Sequence, residues 1–333
     1  MDVSVDYMQL PPMEFAEVQK FRFDADVEAS DGAAGRLAWV VADAASHTLT
    51  YIGVKVTAGT LFFGGTYDVP IHLVSTADDN AVTLSIPLEE VKKHRTRPDG
   101  AQLTRATQVQ AGSRRLGHLA QLTIAKEGAL LRHLVVERLG REVLINARLI
   151  DELAAKQIAV NLGQLTPNDL TPYRSDAELR DEVYQRIWGY TRMRPDMPGI
   201  TIHAIDGVVW LKGYVSSDLN RRVIQNLMQD ITGLAELHND LIADNLLAAD
   251  VAMSLAHDPR TADQRIGVYP RLGEVHLRGV VQSAQAVTAA VELARKVAGV
   301  NSVVNELRVN PRFTNLPDLA AVTNAEDLVP GGG

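Results

Sequence analysis

The sequence predicts a multidomain β and α+β protein, with two small β-barrels followed by two αββαβ units. Three observations predict it. The C-terminal half repeats itself, with Asp206–Gly213 lying over Leu272–Gly279 at an offset of 66 residues. The N-terminal half holds a looser repeat, offset by 82 residues and then by 76. Between the halves, Gln164–Pro172 is a polar, proline-bounded joint.

Residues 1–19 read as an N-terminal arm. The opening MDVSVDYMQLPPMEF has no basic stretch and no long apolar run, so no secretory signal is expected. Residues 20–97 and 101–165 form the first repeat pair, separated by His94–Gly100. Gly35-Arg36-Leu37-Ala38-Trp39-Val40 lies over Gly117-His118-Leu119-Ala120-Gln121-Leu122, and Ile52 and Val54 lie over Leu134 and Val136. After a longer hairpin at Thr57–Tyr67, Val69-Pro70 falls over Ile145-Asn146, and Val82-Thr83-Leu84 over Ile158-Ala159-Val160. Short alternating β-runs split by Gly, Asp and Asn turns suggest a small barrel in each. These units resemble PRC-barrel domains, through Arg115-Leu116-Gly117-His118-Leu119, the Leu134-Val135-Val136 strand, and the strand ahead of a short helix at Val143–Leu153. The resemblance implies adaptor modules that dock on larger machinery and carry no chemistry.

Residues 172–243 and 244–311 form the second pair. Leu179, Val183 and Ile187, and then Leu247, Val251 and Leu255, recur every four residues, which gives each unit an apolar helical stripe. Ile200–Ala204 and Val208–Tyr214 are β-rich runs split by Asp206-Gly207, a hairpin turn signal. Ser217 and Ser283 stand at N-cap positions of the next helices. Those helices show Val223, Leu227 and Ile231 in one unit and Val291 and Val297 in the other. Gly233 and Gly299 are placed at C′, where a left-handed residue ends a helix. Ala235–Ile242 and Ser302–Val309 supply the last strands. The DGVVWLKG and GEVHLRG hairpins, the helix-start serines and the GLAELHN and GVNSVVN endings resemble the BON domain family. The resemblance implies non-catalytic αβ modules of envelope, phospholipid, small-ion or multimeric assemblies. Residues 312–333 read as a C-terminal tail.

Composition narrows the chemistry. There are no cysteines, which excludes disulfides, cysteine metal sites and cysteine nucleophiles. A net charge of −8 opposes nucleic-acid binding. No run approaches the ~20 apolar residues that span a bilayer. A cytoplasmic setting is therefore expected, with envelope association as the alternative that the BON resemblance implies.

No catalytic constellation stands out, so neither enzymatic activity nor a cofactor is expected. Gly112–Gly117 has P-loop glycine spacing, but His118 stands where the lysine is needed, so a turn into a strand is the preferred reading. His203, His238, His257 and His276 fit no zinc spacing. Asp24, Asp26 and Glu28 alternate, which predicts one solvated strand face or, as the sharper alternative, a hard-cation site. The basic run with Lys92, Lys93, Arg95 and Arg97 is a candidate anion contact, weighed against a solvated linker.

If Val209 and Leu211 point inward, Trp210, Lys212 and Tyr214 point outward. His276 and Arg278 hold the equivalent face of the next unit. These five residues are the candidate interface, with cover by a neighbouring domain of the same chain as the alternative for Trp210. Two function classes follow. One is a structural protein that assembles with itself into a ring or filament, with a protein partner through the barrels. The other binds a small ligand, ion, or phospholipid or membrane surface.

Overall fold

A computed structural model describes residues 18–56, 65–95 and 99–312. Thr96, Arg97 and Pro98, most of the proposed arm and nearly all of the proposed tail lie outside the described residues. The contacts divide the chain into two compact units. One holds residues up to Glu182 with His203–Val209 and Ile231–Leu237; the other holds Val183–Ile202, Trp210–Asp230 and the residues from His238 onward.

The first unit opens with β1 (Val18–Arg22), β2 (Asp26–Ala29), β3 (Gly32–Ala42), β4 (Leu49–Val56), β5 (Thr66–Pro70), β6 (Val74–Ala77) and β7 (Ala81–Leu84). A short helix α1 (Leu88–Val91) leads to β8 (Ala101–Leu103). Then come β9 (Gln108–Ala111), β10 (Arg114–Ala125), β11 (Leu131–Arg138), β12 (Arg141–Asn146), β13 (Ile150–Leu153) and β14 (Gln157–Val160).

The two halves have the same strand order, β5-β4-β3-β2-β7-β6 and β12-β11-β10-β9-β14-β13. Even the irregularities repeat: a bulge falls between Leu37 and Trp39 in one sheet and between Leu119 and Gln121 in the other. The seventh strand of each sheet is exchanged. β1 precedes the first sheet but pairs antiparallel with β10 of the second, while β8 precedes the second sheet but pairs antiparallel with β3 of the first. Phe21 of β1 and Leu103 of β8 are fully buried at equivalent positions. A single apolar cluster runs from Phe21 to Leu170 through both sheets. The sequence reads as two separate barrels; exchange of their leading strands gives them one core.

The expected joint at Gln164–Pro172 is docked. Leu170 is in the core, Leu144 N donates to Thr171 O at 2.9 Å, and Tyr173 N donates to Glu142 O at 2.8 Å. Its backbone therefore extends the edge of β12, which satisfies groups that a free linker would leave to water.

The rest of the chain repeats helix, hairpin, helix, strand. The first copy is α2 (Asp176–Gly189), β15 (Ile200–Ile205), β16 (Val208–Val215), α3 (Asp218–Leu227) and β17 (Glu236–Ala243). The second is α4 (Asp244–His257), β18 (Arg265–Arg271), β19 (Glu274–Val281), α5 (Ala284–Lys296) and β20 (Ser302–Val309). Each makes a three-stranded sheet, β15-β16-β17 and β18-β19-β20. Ser217 and Ser283 accept from the backbone N–H of Asn220 and Ala286, both at 3.2 Å, as N-caps do. Both hairpins turn through two left-handed residues, Asp206 and Gly207 (φ 46° and 79°) and Leu272 and Gly273 (φ 49° and 81°).

Gly233 is left-handed but is not the C′ residue of α3, which ends at Leu227. It leads instead into β17. A Cβ there would meet the Arg174 side chain at 3.0 Å and Pro172 O at 3.2 Å, so close approach as well as its φ favours glycine.

Candidate functional site

Among the described residues of the first unit, a buried polar cluster is built around Lys20. Strand alternation sends Phe21 into the core and leaves Lys20 on the opposite face, yet Lys20 is only 2% exposed. Its Nζ lies 2.6 Å from Asp176 Oδ2, 2.9 Å from Asp206 Oδ1 and 3.6 Å from Asp79 Oδ1. His133 Nδ1 meets the other oxygen of Asp206 at 3.1 Å. Asp79 also accepts from the Tyr173 hydroxyl and from Gln121 Nε2. At the rim, Arg22 pairs with Glu142 at 2.5 Å. The cluster thus joins β1, the β6–β7 turn, the β10–β11 pair, the start of α2 and the Asp206 hairpin turn.

One ammonium faces three carboxylates, and the titration of the group reflects that. Burial alone would lower Lys20, but Asp206, Asp176 and Asp79 outweigh it and hold the ammonium above its ordinary range. Burial would likewise raise Asp206, but the bond from His133 and the charge of Lys20 hold it well below the usual carboxylate range. Asp176 goes the other way. Burial, with the nearby charge of Asp206, pushes it up from 3.8 to about 6 despite Lys20. Between those values the folded protein keeps a proton that the unfolded chain has released, so folding stability falls as pH rises through that window. The contribution of Asp206 has the opposite sign: it is present at neutral pH and is lost only in stronger acid. Asp176→Asn is expected to flatten the stability profile between pH 3.8 and about 6, as read by urea unfolding at several pH values. An unchanged slope would remove Asp176 from this role.

The first-turn aspartate of each leading helix has a second task. Asp176 Oδ1 accepts from Asp206 N at 2.8 Å, and Asp244 accepts from Leu272 N at 2.7 Å and Gly273 N at 3.1 Å. Each helix start therefore holds the hairpin turn of its own repeat. The sequence signal was an aspartate opening both helices. The two turns differ in what they present. In one, a buried Asp206 meets Lys20. In the other, Leu272 adopts a backbone that a leucine rarely takes, and a Cβ on Gly199 would lie 2.9 Å from its Cδ2.

The predicted interface residues are not all open. Trp210 is only 5% exposed, and its ring stacks on His238 at 5.4 Å and 6°. Strand parity gives the direction of a side chain and says nothing of what covers it, so an outward tryptophan need not be a surface one. Lys212 and Tyr214 are half-buried. Tyr214 lies against Gly273, where a Cβ would sit 2.3 Å from its ring. His276 and Arg278 do share an accessible face. His276 lies 2.9 Å from Glu306 and 3.1 Å from Glu274, Arg278 Nε lies 2.5 Å from Glu306, and its guanidinium rides 5.5 Å over Tyr269. Tyr269, which sequence reasoning passed over, is 55% exposed.

The basic run does not converge. Lys92 pairs with Glu89 at 2.7 Å, Lys93 is exposed, Arg95 lies 5.6 Å over Tyr67, and Arg97 is outside the described residues. The three alternating acids also separate. Asp24 sits in a left-handed turn 3.2 Å from Arg105, while Asp26 and Glu28 are on β2. No cluster of three or more potential metal ligands occurs among the described residues. The Gly112 turn leads into β10 and lines a groove of about 430 Å³ with Arg114, Asp151 and Asn161. An arginine sharing that space with a carboxylate is a poor setting for phosphate. No helix of the described residues is long and apolar enough to cross a membrane.

The BON domain model matches residues 175–245 and 243–311, the two helix–hairpin–helix–strand repeats, and does not extend to the residues before them. No curated protein matches the chain. Among solved structures, the chain is similar to the C-terminal domain of CdsD, described as the structural protein of the Type III secretion system of Chlamydia trachomatis. The identity is 14% and the TM-score 0.33, and the match covers 41% of this chain and 66% of that one, under two thirds. A further CdsD structure matches at 12% identity and a TM-score of 0.22, covering 46% of this chain and 100% of that one.

Proposed function

From two BON domains in tandem, we propose that the chain is a non-catalytic structural or assembly protein whose modules make homotypic or adaptor contacts. The paired N-terminal sheets are read as PRC-barrel-like adaptors, supported by their shared strand order, their repeated bulge and the Leu116-Gly117 opening of β10. The observation that carries the proposal is where the strongest polar groups go. Lys20, Asp79, Asp176, Asp206 and His133 are paired with one another, and both hairpin turns are packing elements. A site for turnover needs titratable groups facing substrate; here they face each other.

With Trp210 buried, self-association is assigned to the face of Tyr269, His276 and Arg278. That face mixes an exposed aromatic with an arginine, the composition of interface anchors. A contact with an unlike face of the next copy gives a ring or filament according to whether rotation closes it. Size-exclusion chromatography with light scattering tests this. Wild type is expected to form concentration-dependent multimers, and Arg278→Glu and Tyr269→Ala to shift the mass toward monomer with circular dichroism intact. A wild-type monomer at high micromolar concentration would end the reading.

A further inference from the structure

We infer that the end of α2 is a docking platform for an acidic segment of another protein, built from Tyr184, Trp188 and Arg194 with Tyr190 and Arg192 beside them. Four aromatic side chains are exposed among the described residues, and three of them, Tyr184, Trp188 and Tyr190, fall within seven residues. Such a concentration on one short surface is not incidental exposure.

The platform is rigid. Val183 and Ile187 are fully buried, which fixes the helix, and the four-residue spacing brings Tyr184 and Trp188 together on the other side. Their rings stack at 6.2 Å and 9°. Arg194 Nε donates to Trp188 O at 3.2 Å, and its guanidinium carbon lies 5.1 Å over the Trp188 ring. Its plane is thereby held, and among the described residues no carboxylate pairs with its two Nη groups. A guanidinium fixed in this way reads a carboxylate through two parallel bonds, and lysine cannot do so.

From Val183 to Ile202 the exposed charges are arginines, and Asp181, three residues before Tyr184, is the nearest exposed acid along the chain. Asp196 is the acid between Val183 and Ile202. It is 3% exposed, and its carboxylate is bonded by Ser216 Oγ at 3.0 Å and Asn220 Nδ2 at 2.7 Å. Arg192 and Arg194 are exposed. An acidic partner with an apolar or aromatic residue beside its carboxylate matches both parts of the platform.

A lipid surface matches less well. Membrane-surface helices carry several Trp, Phe or Leu residues along the face that enters the acyl boundary, and of these only Trp188 is exposed between Val183 and Ile202. The apolar face of α2 is instead in the core, and no leucine, isoleucine or phenylalanine is exposed between Val183 and Ile202.

The test uses the full chain on an array of random 12-residue peptides, with the strongest sequence then titrated by calorimetry. Retained peptides are expected to be enriched in Asp and Glu next to Leu or aromatic residues. Replacing those acids by Asn and Gln should weaken binding at least about tenfold. Arg194→Lys, which keeps the charge but loses the fork, should weaken it about tenfold, and Arg194→Glu should abolish it. Unbiased peptides, or indifference to Arg194→Glu in a variant of wild-type circular dichroism, would overturn the inference. So would binding to phosphatidylglycerol vesicles that depends on Arg194 while acidic peptides fail to bind. A monomeric chain that still selects acidic peptides would keep this inference and end the self-assembly reading.

Discussion

Lys20→Met is expected to destabilise the protein by about 3–5 kcal/mol, the usual cost of removing one partner from a buried ionic group. The reason is the count of charges around it. Lys20 Nζ lies within 3.6 Å of carboxylates from Asp176, Asp206 and Asp79, and Asp206 has no exposed surface. Without the ammonium, Asp206 keeps the bond from His133 but loses its main charge partner, and Asp176 and Asp79 are left repelling it. Methionine matches the length of the lysine stem, so most of the loss is electrostatic. Urea unfolding at neutral pH measures it. Lys20→Met combined with Asp206→Asn should cost less than the sum of the two single changes, because the carboxylate left unpaired by the first is removed by the second. A Lys20→Met variant within 1 kcal/mol of wild type, or strictly additive changes, would show that the cluster is not coupled.

The second large effect follows from strand exchange. Leu103→Ala is expected to cost about 2–5 kcal/mol, as for a fully buried leucine, and its consequence should not stop at the sheet that holds it. Leu103 lies in β8 against Val40, but β8 leads into β9 of the other sheet. Phe21 of β1 is in the reciprocal position, next to Leu122. Each sheet thus holds a strand covalently continuous with its sister, and the apolar cluster is shared. Hydrogen exchange should show β10 and β11 losing protection along with β3 and β4, and Phe21→Ala should do the same in reverse. Loss confined to β3–β5 and β8 would mean that the two sheets unfold independently.

The C-terminal repeats were legible because their signals are local. Leu179, Val183 and Ile187 mark a helix by spacing, Asp206-Gly207 marks a hairpin by its left-handed turn, and Ser217 and Ser283 mark helix starts by their hydroxyls. Each depends on a few neighbouring residues. The same holds for the strand repeat of the N-terminal half, where Asp26 of β2 and Gln108 of β9, 82 residues apart, begin equivalent strands.

The exchange was not legible, because β1 and β8 sit at equivalent positions in the repeat whichever sheet they join. An offset records order along the chain and carries no information on which edge a strand meets. Lys20 was missed for a related reason. A lysine on the polar side of an alternating strand reads as solvated, and only the arrival of Asp79, Asp176 and Asp206 from distant segments makes its burial tolerable. Trp210 shows the limit from the other side: alternation speaks only to the direction of its side chain, and its burial and its stacking on His238 arise from the fold. The sequence by itself determined periodicity, turns and caps, which are set within a few residues. Only the tertiary structure decided which faces are buried and which charges meet, because burial and pairing depend on residues that come together only when the chain folds.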